Sequence, residues 1–266
     1  MAAAGAPVVF VHGMFLHASC WHAWVELFRA AGYAPVAPGW PGEAATVAEA
    51  REQPGRVVGK GIDAIVAHYA QIIGSLDARP IVIGHSTGGL IVQRLLGQDL
   101  TSAAVAIQAP PIKGVVTLAP SPARVAWVAL RNPANRSRAL SLTPRQFRYA
   151  FGNAVSAAES DDLYQRWSIP SPGTPTFELA SASLSRQSPA KVNTANSTRA
   201  PLLLIAGGKD HGVPAAVVKA TVRRYRSSPA VTDYQEYPDR GHSLPIDSGW
   251  REVAEATLAW LKQHSR

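Results

Sequence analysis

The 266 residues suit one large α/β domain or one domain carrying a sizeable insertion, and an apolar share of 47% is enough for an extended core. No apolar run reaches the ~20 residues that cross a bilayer. The N-terminal Met-Ala-Ala-Ala-Gly-Ala-Pro has no basic stretch and the run Val8–Val11 stops too soon for a secretory signal, so a soluble, cytoplasmic protein without a membrane partner is expected. A net charge of +8 would suit nucleic acid, but the chain has no zinc spacing, no Lys/Arg block and no aromatic RNA-binding signature; a solvated basic surface is expected instead.

The single cysteine, Cys20, excludes an internal disulfide and fits a reducing compartment. No glycine pattern surrounds it as a nucleophile would need, and it reads as a small buried residue.

Short β-branched runs alternate with amphipathic stretches, which implies parallel strands joined by crossover helices. Val8–Val11 reads as a buried strand. Ser19–Ala31 follows as a helix with Trp21, Trp24, Val25 and Phe28 on one face. Ala34–Ala37 is a short strand, and Gly61–Leu76 is a helix whose apolar residues form one stripe. Pro80–Ile83 is a strand running into the helix Gly88–Gly97. Val115–Leu118 reads as the next strand, then Leu202–Ile205, a helix from about Pro214, a strand Asp233–Tyr237 and a closing helix Trp250–Leu261. Between Pro120 and Pro189 the rhythm breaks. That stretch has no strand-like run, several prolines and helical patches bearing aromatic residues, too many for a linker. The chain thus reads as a core of residues 1–119 and 190–266 with a helical insertion at 120–189.

Gly84-His85-Ser86-Thr87-Gly88 matches G-x-S-x-G between a predicted strand and a predicted helix. In that context the turn holds Ser86 in a strained conformation with its hydroxyl exposed, and the glycines remove side chains that would collide. Serine needs a base. His242 lies on a loop after the last strand and can reach back over the sheet. His68 sits inside a helix, His264 at the chain end, and His85 points away from the nucleophile. His211 stands beside the acid. That acid is Asp210, just past the Leu202–Ile205 strand; the stretch Ala119-Pro120-Ser121 after the preceding predicted strand has no carboxylate. Asp239 is too close in sequence to His242, and Asp233 lies in a strand. The oxyanion needs donors, and the backbone N–H groups of Met14, on the loop after the first strand, and Thr87 fit that need. His12, His17 and His22 have neither the spacing nor the carboxylates of a metal site. The absence of G-x-G-x-x-G and of a P-loop removes dinucleotides and triphosphates. No metal and no cofactor is expected.

At these residues the chain resembles the α/β-hydrolase superfamily. His12-Gly13, the Gly84–Gly89 elbow, Gly208-Lys209-Asp210-His211 and Arg240-Gly241-His242-Ser243 arrive in order across almost the whole chain. Val11-His12-Gly13 with Trp21 and Trp24 is similar to the small esterase and hydroxynitrile-lyase-like branch, and Gly-His-Ser-Thr-Gly-Gly to arylesterases and cofactor-free haloperoxidases. The serine departs from the dehalogenase and epoxide hydrolase branches, which use aspartate there. The resemblance implies about six parallel strands, the family's first two being absent, and a serine hydrolase acting on a small-molecule carboxylic ester. A lactonase, thioesterase or lyase could use the same triad, and a slow ligand receptor could keep the fold.

Phe15, Trp21, Trp127, Phe147, Phe151 and Trp167 are the candidate pocket lining, with no carboxylate among them to attract a cation. The insertion is basic, with nine lysines and arginines against four acids between Ile112 and Ala190. A mostly apolar substrate, uncharged or weakly anionic at its outer end, is therefore expected, with those arginines able to steer anions if they rim the mouth.

Overall fold

The computed structural model describes residues 5–116 and 119–264. The chain opens with β1 (Pro7–Val11), one turn of 3₁₀ helix, α1 (His22–Ala30) and β2 (Ala34–Val36), then α2 (Val47–Glu52) and α3 (Ile62–Gly74). β3 (Ile81–His85) leads into α4 (Thr87–Leu96), and β4 (Ala103–Ile107) follows. Between β4 and β7 the chain forms α5 (Pro120–Leu130), β5 (Ala139–Leu140), α6 (Pro144–Ala150), α7 (Ala157–Trp167), β6 (Ser171–Pro172) and α8 (Thr174–Ala180). β7 (Leu202–Gly207), α9 (Ala215–Tyr225), β8 (Thr232–Tyr237) and α10 (Trp250–His264) complete the fold.

Six strands form one parallel sheet in the order β2-β1-β3-β4-β7-β8, and β5 and β6 pair separately as a two-residue antiparallel ribbon. The side-chain period of two divides the sheet residues between two cores. Val9, Val11, Val82, Ala104, Ala106, Leu202 and Leu204 face α3, α4 and α9. Val8, Phe10, Ile81, Ile83, Ala103, Val105, Leu203 and Ile205 face α1 and α10. With both faces covered, the central strands read as continuous apolar runs rather than alternating ones.

One predicted strand is corrected. The fourth strand is Ala103–Ile107, not Val115–Leu118. Val115 and Val116 lie outside any strand, and Thr117 and Leu118 fall outside the described residues. Ala-Ala-Val-Ala-Ile is poor in β-branched residues, but every residue of it is buried between β3 and β7, where small side chains let α4 pack closely. Burial decides there, not propensity.

The order of the strands positions the site. From β1 the chain moves outward to β2, then returns to β3 on the other side of β1 and continues to β4. β1 and β3 thus flank a point where successive connections diverge, and a crevice opens at their carboxyl ends. The segment between β4 and β7 is tied to the elements after β2. Arg51 donates to the carbonyls of Ser168 (3.0 Å), Tyr164 (3.0 Å) and Gln165 (2.9 Å), and Glu178 accepts the Ile62 N–H at the start of α3 (2.7 Å).

A buried arginine closes the far edge of the sheet. Arg199 is 3% exposed and donates to the carbonyls of Ala200, Ala230 and Val231, each at 3.0 Å, and to the Thr232 hydroxyl. Arg199→Met keeps most of the volume but leaves those carbonyls unpaired. Urea unfolding should show it destabilised by about 3 kcal/mol with an unchanged m-value.

Candidate active site

The turn at Ser86 is built by close backbone contact. Ser86 has φ 53° and ψ −125°, a strained conformation for a residue with a side chain, and its N–H is held by the Ile107 carbonyl at 2.9 Å. The turn brings Gly88 against the end of β1. A Cβ on Gly88 would overlap the Val11 carbonyl, and one on Gly13 would lie 2.7 Å from the Ser86 Cβ. The absence of these side chains lets the loop after β1 lie directly beneath the serine.

Asp210 and His242 come together across 32 residues. His242 Nδ1 is 2.6 Å from Asp210 Oδ2, with both side chains almost fully buried. The other oxygen of Asp210 accepts the N–H groups of Gly212 (2.7 Å) and Val213 (2.8 Å), so the carboxylate is fixed on both sides. With Nδ1 donating to the carboxylate, the free nitrogen of the His242 ring is Nε2, an acceptor. Phe151 packs edge-on against that ring at 4.9 Å. His242 and Ser86 line the same cavity, together with Met14 and Thr87. Among the described residues the Met14 and Thr87 amides donate to no protein acceptor, which leaves two N–H groups available beside the serine.

Asp239 pairs with Lys209 at the surface and Asp233 accepts from the Trp260 indole, so neither competes for His242. The residue after β4 is Gln108, again no carboxylate. Among the described residues no three His, Cys, Asp or Glu side chains are grouped to hold a metal ion.

Sequence reasoning missed how the loop of His242 is held. His85, expected only to point away, is buried beneath it, and its Nε2 donates to the His242 carbonyl at 2.9 Å. Gln108, in the left-handed region at φ 50°, donates to the neighbouring Gly241 carbonyl at 2.7 Å. The two side chains stand at the ends of adjacent strands and grip consecutive carbonyls. Only the order of β3 and β4 brings them together, so no local pattern in the sequence could show it.

The cavity holds about 190 Å³. Of the expected lining, Phe15 and Phe151 are present. Four aromatics are corrected. Trp21 is fully buried against Phe10 and Trp24, Phe147 stacks behind Phe151 at 4.8 Å, Trp127 is 63% exposed, and Trp167 lies under the Arg166 guanidinium. The wall is instead made of small and aliphatic residues, among them Val125, Ala126, Val128 and Ala129 of α5 and Val213 and Val217 at α9. The spacing 125, 126, 128, 129 is a helical stripe, a signal that the weight placed on aromatic residues obscured. No lysine, arginine, aspartate or glutamate lines the cavity. None of the arginines between residues 120 and 189 is part of that lining. Arg124, Arg131 and Arg145 instead share an outer cleft with Trp127 on the other side of α5.

A family model described as the alpha/beta hydrolase family matches residues 8–256. The chain belongs to that family. No curated protein sequence matches it. Solved structures extend the likeness over nearly the full length. An extracellular alpha/beta-hydrolase from a Paenibacillus species has a TM-score of 0.71 at 19% identity, covering 98% of this chain and 100% of that one. A thermophilic esterase from Thermogutta terrifontis has 0.70 at 18%, covering 99% and 92%. A monoacylglycerol lipase from Paleococcus ferrophilus has 0.68 at 20%, covering 98% and 97%. At such identities these likenesses speak for the alpha/beta hydrolase fold. No helix among the described residues is long and apolar enough to cross a membrane.

The pinning of His242 has a pH signature. Burial, and then the neighbouring His242, push the His85 pKa well below its ordinary 6.5. The folded protein keeps His85 neutral while the unfolded chain takes up a proton below about pH 6.5, so stability is lost as pH falls through that value. His85→Gln retains a donor of similar reach without the titration. In urea unfolding at pH 8 and pH 5, wild type should lose more stability than His85→Gln on acidification; equal losses would refute the assignment.

Proposed function

We propose that this alpha/beta hydrolase cleaves carboxylic esters of small, neutral, mostly apolar substrates through an acyl-enzyme on Ser86. The observation that carries the reading is the serine held at φ 53° in an uncharged cavity that it shares with a histidine fixed by Asp210 at 2.6 Å.

In this mechanism Ser86 Oγ attacks the ester carbonyl while its proton passes to His242 Nε2. Asp210 keeps the proton on Nδ1 and stabilises the imidazolium. The Met14 and Thr87 N–H groups receive the negative charge on the carbonyl oxygen, in a site where apolar walls keep the dielectric low. The bond to the alkoxy oxygen then breaks as His242 protonates it, so that the alcohol leaves and the acyl group remains on Ser86. Water, deprotonated by His242, attacks the acyl carbon, and the acid departs as Ser86 recovers its hydrogen. Residues 120–189 act as a lid in this reading, since half of the cavity lining, from Pro122 to Ala180, comes from that segment. The volume, about 190 Å³, lies below the roughly 300–1,000 Å³ of pockets for drug-sized ligands. It suits a short to medium acyl chain. Exclusion of charge from the walls selects neutral groups, because burying an unpaired charge there is costly.

Ser86→Ala should abolish labelling by a fluorophosphonate and reduce kcat by about 10⁶-fold, no less than the Ser86→Ala/His242→Ala double variant. Asp210→Asn should lower kcat by about 10⁴-fold with the fold retained. Labelling of folded Ser86→Ala protein would refute the nucleophile. A second measurement tests the pocket: across matched neutral, anionic and cationic p-nitrophenyl esters, kcat/KM should be highest for the neutral one. Preference for the cationic ester would overturn the substrate class.

A further inference from the structure

Behind the loop after β1, on the side away from Ser86, lies a buried carboxylate that the mechanism above does not use. Glu43 has a side-chain exposure of 3%, and its Oε2 is 3.0 Å from His12 Nε2. The other oxygen accepts the Ala18 N–H at 3.0 Å and lies 3.7 Å from His17 Nε2. Glu43 therefore touches both ends of the 12–18 segment, which carries Met14.

The hydrogens of the two histidines follow from their partners. His17 Nδ1 accepts the Ser19 N–H at 3.1 Å, so its hydrogen is on Nε2, where it meets the Ala44 carbonyl at 3.1 Å. His12 differs, because both of its ring nitrogens face acceptors. Nδ1 is 2.9 Å from the Gly13 carbonyl and Nε2 faces Glu43. The Nε2 approach is bent, which makes it an ion pair more than an aligned hydrogen bond. A buried carboxylate needs a counter-charge, and the Cys20 thiol and the Tyr69 phenol do not supply one. Burial, then the charge of Glu43, push both of these well up. Burial would raise the Glu43 carboxyl as well, but His12, the Ala18 N–H and His17 together outweigh it and hold the carboxyl below the ordinary range. The His12 ring is further clamped by Trp40, which stacks on it at 5.1 Å and donates its indole N–H to the His12 carbonyl at 3.2 Å.

We propose that Glu43 is a positioning residue for ester hydrolysis. Held against His12 at one oxygen and the Ala18 N–H at the other, it fixes the peptide planes from His12 to Met14, so that the Met14 N–H stays aimed at the oxyanion. This rests on the ester-hydrolase reading, since it gives the Met14 amide its task. The ion pair lies outside the cavity and touches no substrate. It acts through the loop alone.

Glu43→Gln keeps the shape and the acceptor for Ala18 while removing the charge. In folded protein, verified by circular dichroism, kcat should fall about 10–100-fold, less than the roughly 10²–10³-fold seen when an oxyanion donor is removed outright. KM should stay within about threefold, since ground-state binding is not involved. A merely structural role would lower the melting temperature and leave kcat of the folded fraction unchanged. The variant His12→Gln/Glu43→Gln should lose no more than the worse single variant, because the two residues form one unit. Should Glu43→Gln not fold, Glu43→Asp, with its charge at shorter reach, should give the same kinetic pattern in smaller measure. Unchanged kcat in folded Glu43→Gln, or in folded Glu43→Asp where Glu43→Gln does not fold, would overturn the proposal. A wild type that neither takes a fluorophosphonate nor turns over esters would sink the ester-hydrolase reading first and the positioning role with it.

Discussion

The close approach of the elbow to the end of β1 is the constraint on which the rest of the site depends. At φ 53° Ser86 must be held by its surroundings. The hold comes from a bond to the end of β4 and from α4 starting almost in contact with the Val11 and His12 carbonyls. That contact is possible only because β1 and β3 are neighbours whose connections run in opposite directions. The crevice, the serine and the Met14 amide of the β1 loop thus share one cause, the order in which the strands are laid down.

Much of this was legible in the sequence because it is local. A serine between glycines, preceded by Ile-Val-Ile and followed by a helical stripe, carries its geometry in a dozen residues. Asp210 and His242 were legible because each follows a strand that its neighbours mark clearly. The strand Ala103–Ile107 was not, because alanine carries little β signal and the burial that makes it a strand is conferred by partners distant in sequence. The same holds for His85, Gln108 and Glu43. Each is ordinary in its local context, and each takes its meaning from a residue on another loop.

The cavity wall shows a different limit. Aromatic residues such as Trp21 and Phe147 suggested a large apolar lining, yet both are spent on the core that faces α1 and α10. Helix α5 divides its faces instead. Val125, Ala126, Val128 and Ala129 line the cavity with Ser86, while Arg124, Trp127 and, just beyond the helix, Arg131 line the outer cleft and not the cavity. The helix thereby separates those positive charges from the cavity.

That separation bears on how a turnover ends. In the proposed ester hydrolysis the product leaves Ser86 as a neutral carboxylic acid, inside walls that hold no lysine or arginine. Its anion would be poorly solvated in such a place, whereas water outside the cavity solvates it well. On that reading the apolar lining that would admit the ester would also favour loss of the acid to water, where it ionises and has no reason to return.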